Sequence, residues 1–368
     1  MCKFAWMRPA FGVAAGLFGA WARLWMAVMV GVVALPGPQA QAQTEPEAPQ
    51  RISCAAVSAA TCTVAKSLKR GVNFGGMLEA PKEGMWGATV MPAYMDVASV
   101  HFQTVRLPVR WSNHAAVTED GLIDEVFARR VDFIVDTLLS KGVYVILDFH
   151  HHMQMVGSKL HTGEYAVEER ILEKRFLNMW RQIEGRYRYR SPKLIFEILN
   201  EPYGKLTPAR WNALTAKVVS IIRVHNPQRT VIVDVPYVGM DAAYDELVMP
   251  ADPNLIMGAH SYDPFDFTHQ WVRNSVTCCS PDQEAQMVAN LDKMAAWSVR
   301  TGYPVHLGEF GSIENAPLDA RAAYARIMRD GAEARGMGWA YWDFATTFAV
   351  YPKAANNWLE PIRAALLD

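Results

Sequence analysis

Neither G-x-G-x-x-G nor G-x-x-x-x-G-K-[ST] occurs anywhere in the 368 residues. The glycine loops that cradle dinucleotides and nucleotide phosphates are therefore missing, and the activities built on them are set aside. An excess of either charge is missing too: 36 basic residues stand against 37 acidic ones, with no run of Lys or Arg. Nucleic-acid binding needs a basic field, so no such partner is expected. Cysteine is scarce, five in all, and their spacing resembles no zinc site. No apolar run reaches the ~20 residues that span a bilayer.

What is present begins with an unusual amino-terminal segment. Residues 1–42 carry Lys3, Arg8 and Arg23, no acidic residue, and the apolar run LWMAVMVGVVAL over 24–35. Ala40 and Ala42 then occupy the small-residue positions of an export cleavage site. This is a signal-peptide pattern, with the mature chain starting at Gln43 and a secreted or periplasmic destination. The competing reading is an uncleaved anchor. Export permits disulfides; four cysteines remain after cleavage, with three possible pairings. Cys54 and Cys62 are spaced to close a small loop, whereas the adjacent Cys278 and Cys279 are poorly placed for each other. Residues 43–67 are rich in Gln, Ala, Pro, Ser and Thr and read as a linker or lead-in to a single domain over 68–368.

From residue 70 onward short apolar runs alternate with longer amphipathic ones. Strands are expected over 71–74, 104–109, 144–150, 194–201, 230–236, 255–262, 304–311 and 338–344, with helices between them. Buried strands separated by covering helices imply a parallel sheet. Eight units fit a closed (β/α)8 barrel better than the competing doubly wound sheet, which usually carries a phosphate loop.

Chemistry in such barrels sits at the carboxyl ends of the strands. The polar residues Arg106, His150, Asn200, Glu201, His260, Tyr262, Glu309 and Trp342 accumulate there. Alternation along the fourth strand puts Glu197 on the face of Glu201, one pleat deeper, where it is expected to pair with a buried cation such as Arg106. Glu201 and Glu309, two carboxylates from distant strands, are what glycoside cleavage needs, one as acid and one at the anomeric carbon. Glu309 is expected to stay ionised beside Arg106 and Tyr262, and Glu201 to keep its proton. The triple histidine at 150–152 invites a metal, but adjacent strand residues point to opposite faces, and no metal or other cofactor is expected. Trp180, Trp211 and Trp297 lie at apolar helix positions and read as core. Trp86, Trp111, Trp271 and Trp342 lie in loops or at strand ends, where an aromatic face can stack on a pyranose ring.

The stretches GVNFGGMLEAP, VRLPVRWSNHA, ILDFHHH, FEILNEPYG, GAHSYDPFDFTHQ, VHLGEFGS and YWDF, taken in this order over residues 68–365, resemble family 5 glycoside hydrolases. The resemblance implies a retaining enzyme with Glu201 as acid/base and Glu309 as nucleophile. It further implies that Asn200 binds the sugar 2-hydroxyl, that Arg106, His260 and Tyr262 tune Glu309, and that His150 and Trp342 line the cleavage subsite. A cis peptide between Trp342 and Asp343 is also implied. Gly76 stands where relatives often carry a sugar-binding Asn, so Glu79, His151, His269 and Trp271 are the remaining candidates for substrate contact. The expected activity is endo-β-1,4-glucanase on cellulose-type or mixed-linkage glucans, acting as a monomer on polysaccharide or oligosaccharide. Endo-β-1,4-mannanase or dual activity is the alternative, and a non-catalytic carbohydrate-binding protein the remote one.

Overall fold

The computed structural model describes residues 48–368; the expected export segment and its expected cleavage point at Gln43 lie outside them. Eight parallel strands close a barrel in chain order: β1 (Gly71–Asn73), β2 (Thr104–Val109), β3 (Tyr144–Phe149), β4 (Leu194–Glu197), β5 (Val231–Asp234), β6 (Leu255–His260), β7 (Val305–Phe310) and β8 (Gly338–Tyr341), the last pairing with the first. Every residue of β2, β6 and β7 is buried. Strands covered on both faces read as near-continuous apolar runs, which is why these were legible.

The helices are α1 (Ala59–Ser67), α2 (Pro92–His101), α3 (Glu125–Ser140), α4 (Leu172–Tyr187), α5 (Pro208–Ile222), α6 (Pro281–Thr301), α7 (Leu318–Ala334) and α8 (Glu360–Leu367). In α6 local sequence sets both ends. Ser280 and Gln283 form a reciprocal capping box at its start, and Gly302 closes it at φ 80°. Met287, Leu291, Met294 and Ser298 recur on one buried face, the spacing of a helix packed on a sheet.

Two features differ from expectation. The crossover from β5 to β6 contains no α-helix: a short hairpin, Tyr237–Val238 with Asp241–Ala242, and a 3-10 turn over Tyr244–Glu246 take its place. The lead-in also does more than link. Ser58 caps α1, and Ala65 and Leu68 pack on Ile146, Ile195, Ile232 and Ile256, inward residues of β3 to β6. This plugs the end of the barrel opposite the strand carboxyl ends.

Cys54 joins Cys62, with Cα atoms 5.6 Å apart, as their spacing suggested. Cys278 is joined to Cys279, which corrects the expectation. The peptide between them is cis, and their Cα atoms lie 3.0 Å apart. No helix among the described residues is long and apolar enough to cross a membrane.

Candidate active site

An arginine in the middle of an apolar strand organises the mouth of the barrel. Arg106 on β2 is fully buried. An isolated charge there would cost several kcal/mol, so the surrounding strands supply partners. Glu197 on β4 takes a bidentate pair at 2.9 and 2.6 Å, the pairing expected from its position. Asp148 on β3 lies 2.9 Å away and Glu309 on β7 2.5 Å. Arg106 also donates to Asn73 Oδ1 at 3.0 Å and to Asn200 Oδ1 at 2.8 Å, holding Asn200 beside the site.

Glu309 is thus gripped from below, and the Tyr262 hydroxyl donates to its other oxygen at 2.7 Å. Burial keeps Tyr262 a neutral donor by raising its pKa well above the usual tyrosine range. Glu201 is placed differently from what alternation along a strand implied. β4 ends at Glu197, and Glu201 sits beyond it at φ 43°, a left-handed conformation uncommon outside glycine. The turn carries its side chain, 37% exposed, up to the mouth, above the buried Glu309.

His260 lies between the two. Its Nδ1 is 2.8 Å from Glu201 Oε1 and 3.9 Å from Glu309 Oε2, so its hydrogen bond goes to Glu201 while its charge also acts on Glu309. This contact corrects the expected protonation state of Glu201. Burial alone would raise Glu201, but the hydrogen bond and charge of His260 outweigh it and hold the carboxyl below its ordinary range. Burial pushes Glu309 up, against the opposing charges of His260 and Arg106. His260 itself rises to about 9, since Glu309, Glu201 and Asp234 together overcome its desolvation. These directions favour the charged imidazolium of His260 beside an ionised Glu201 in the free site. The ligating atoms of Glu201, His260 and Glu309 all lie within 4.8 Å of one another, as do those of Glu197, Asp234 and His260. Arg106 is bonded to one carboxylate of each grouping, Glu309 in the first and Glu197 in the second.

His150 and Trp342 face each other in parallel planes, ring centroids 5.5 Å apart, and His150 Nδ1 is anchored on Asp148 at 2.6 Å. Gly75 permits this, since a Cβ there would lie 2.7 Å from the Trp342 ring. The Trp342–Asp343 peptide is cis. His151, half-buried, meets Trp86 and His161 edge-on at 6.2 and 5.8 Å. Trp86 is 42% exposed and open to a ligand, whereas Trp111 is 1% exposed and is core, as are Trp180, Trp211 and Trp297. His269 stacks on Phe265 at 4.3 Å and touches Tyr262. Trp271 is 71% exposed on the rim.

Glu79 does not present a ligand-binding carboxylate. It is 1% exposed, and both its oxygens accept backbone N–H groups, from Gly76 and Met77. Burial pushes it up to about 7 against those bonds; its role is to close its own turn. Two buried carboxylates escaped the sequence reading, Asp148 and Asp234. Each interrupts an otherwise apolar strand, in VILDF and VIVDV, and an acid in such a run is itself a signal that something pairs with it.

Comparison with known proteins agrees with this geometry. The family model described as cellulase (glycosyl hydrolase family 5) matches residues 68–347. Endoglucanase H of Acetivibrio thermocellus is 33% identical over 279 residues, covering 76% of this chain and 30% of that protein. The chain thus spans about a third of that curated relative's length. Solved structures of Thermotoga maritima Cel5A in complex with cellobiose and with mannotriose each superpose with a TM-score of 0.76 at 32% identity, covering 83% of this chain and 99% of that one.

Proposed function

Because the chain belongs to the cellulase family, glycosyl hydrolase family 5, we propose that it is a retaining endo-β-1,4-glucanase acting on cellulose-type or mixed-linkage glucans. The observation that carries this reading is the closeness of Glu201 and Glu309, one oxygen of each lying within 4.8 Å of the other around His260. Retaining enzymes hold the two carboxyls about 5 Å apart, and inverting ones leave roughly 6.5–9.5 Å for a water.

Glu309 attacks the anomeric carbon as the bond to the leaving oxygen breaks, and Glu201 delivers a proton to that oxygen. The sugar is left esterified to Glu309. Glu201, now ionised, takes a proton from water, and the resulting oxygen displaces Glu309 and restores both carboxyls. Arg106 and the Tyr262 hydroxyl steady Glu309 as its charge is consumed and returned. Asn200, fixed by Arg106, binds the 2-hydroxyl, and the His150–Trp342 pair lines the cleavage subsite. His151 and Trp86 on one side and His269 and Trp271 on the other serve neighbouring sugars.

The second reading, mannan cleavage, is supported by the relative solved with mannotriose. Glucan and mannan differ at the 2-hydroxyl, a difference worth only a few kcal/mol at one site. Reducing-sugar release from soluble β-1,4-glucan, mixed-linkage glucan and β-mannan decides between them. Cleavage of both glucans with retained anomeric configuration in the first product is expected; cleavage of mannan alone would overturn the substrate, and inverted product the mechanism. We also read residues 1–42 as an export signal, a reading that the two closed disulfides support, since such bonds persist in oxidising compartments. Amino-terminal sequencing of the exported protein should begin at Gln43; retention of residues 1–42 would refute cleavage.

A further inference from the structure

The double displacement uses Glu201, Glu309 and the groups that touch them, and it leaves one buried carboxylate without a task. Asp234 ends β5 and is 2% exposed. Its Oδ2 accepts the backbone N–H of Glu201 at 3.1 Å and lies 4.0 Å from His260 Nε2. The other nitrogen of that ring bonds the Glu201 carboxylate. A single acid therefore reaches Glu201 twice, once through the backbone and once through an imidazole.

The surroundings are shaped for this arrangement. Gly258 stands opposite Asp234 in the β5–β6 register, and a Cβ there would collide with Asp234 Oδ1. On the other side a Cβ at Gly308 would lie 2.9 Å from His260 Nε2. Glycine at these two strand positions, where a side chain would ordinarily strengthen the sheet, leaves room for the acid and the ring.

We propose that Asp234 is a positioning residue for the acid/base: it holds the backbone of Glu201 in its left-handed conformation and, through His260, sets how firmly the His260–Glu201 pair keeps the proton destined for the leaving oxygen. The proposal rests on Glu201 being the acid/base. The plainer alternative is that Asp234 only accepts the Glu201 N–H.

The charged groups facing His260 are Glu201 and Glu197 from the β4 side, Asp234 on β5, Glu309 on β7 and Arg106 on β2. His306 and His150, which also adjoin it, are held neutral by burial. Burial, then Glu197, push Asp234 up to about 8, His260 and Arg106 opposing. Asp234 and His260 thus titrate in one region. The carboxylate favours the protonated ring, so removing it lets the His260–Glu201 pair lose its proton at lower pH.

The test is Asp234→Asn, which keeps an oxygen for the Glu201 N–H while deleting the charge. The kcat/KM profile is measured on a cello-oligosaccharide and on a dinitrophenyl β-cellobioside, whose leaving group needs no acid. The alkaline limb, which reports the acid of the free enzyme, should move down by about one pH unit. On the alkaline limb, where Asp234 is ionised, the variant should lose about tenfold on the oligosaccharide, as a one-unit shift dictates, and little on the aryl glycoside. An unmoved limb with equal losses on both substrates would overturn the proposal and leave Asp234 as a backbone acceptor. Glu201→Ala is run beside it: if its loss is the same on both substrates, the acid/base assignment fails and takes this proposal with it. Should Asp234→Asn not fold, nitrogen NMR of the histidine-labelled wild type followed over pH decides, since His260 ring shifts that also follow the ionisation of Asp234 uphold the proposal and shifts with no second inflection contradict it.

Discussion

Glu309→Ala is expected to lower kcat/KM on soluble β-glucan by on the order of 10⁴-fold or more, the scale of loss when a covalent nucleophile is deleted. No neighbouring carboxylate can substitute. Glu197 lies deeper and is spent on a bidentate pair with Arg106, and Asp148 is held by Arg106 and His150. The fold should survive, because Arg106 keeps Glu197 and Asp148 after Glu309 is gone. The substitution also opens a small space beneath the anomeric carbon. Azide added to the variant should enter it, displace an activated leaving group and release the inverted glycosyl azide, identified by proton NMR. Unchanged activity in Glu309→Ala would remove the nucleophile and the double displacement with it.

Glu201→Ala is expected to cost about 10²–10⁴-fold on an unactivated glucan, the contribution of general acid–base catalysis. On a dinitrophenyl glycoside the first step needs no protonation, so only the second, which needs Glu201 as base, should slow. The glycosyl-enzyme then accumulates, and stopped-flow mixing should record a burst of dinitrophenolate equal to the enzyme concentration. A loss that does not depend on the leaving group, with no burst, would show that Glu201 is not the acid/base. In the proposed double displacement Glu201 is held ionised at rest, so its neighbour must supply the proton. The proton waits 2.8 Å away on His260. A leaving oxygen and a sugar that displace water from the mouth weaken the stabilisation of the Glu201 anion, and transfer along that bond delivers the acid form.

Much of this site could be read from order along the chain. Strands buried on both faces must be apolar, so Arg106, Glu197, His260 and Glu309 stood out as exceptions inside apolar runs, and pairing of Arg106 with Glu197 followed from burial. Asp148 and Asp234 were exceptions of the same kind and were passed over, because a single acid at a strand end is also what a turn looks like. Glu79 was misread for the opposite reason. Its position beside a motif suggested a ligand, but its carboxylate is consumed by the N–H groups of Gly76 and Met77. Similarly, composition made residues 43–67 a linker, though Ser58 and the Cys54–Cys62 bridge start a helix that seals the barrel.

The sequence by itself determined the alternation of elements, the closed parallel barrel and the family, because hydrophobic period and motif spacing are local properties of the chain. Tertiary structure alone decided which carboxylate His260 bonds. His260 could have served Glu309 or Glu201; the choice was made by a left-handed turn after β4 that brings Glu201 to 2.8 Å. Proton affinity follows burial and distances of a few ångströms among side chains from β2, β4, β5, β6 and β7. Such separations exist only once the barrel has closed.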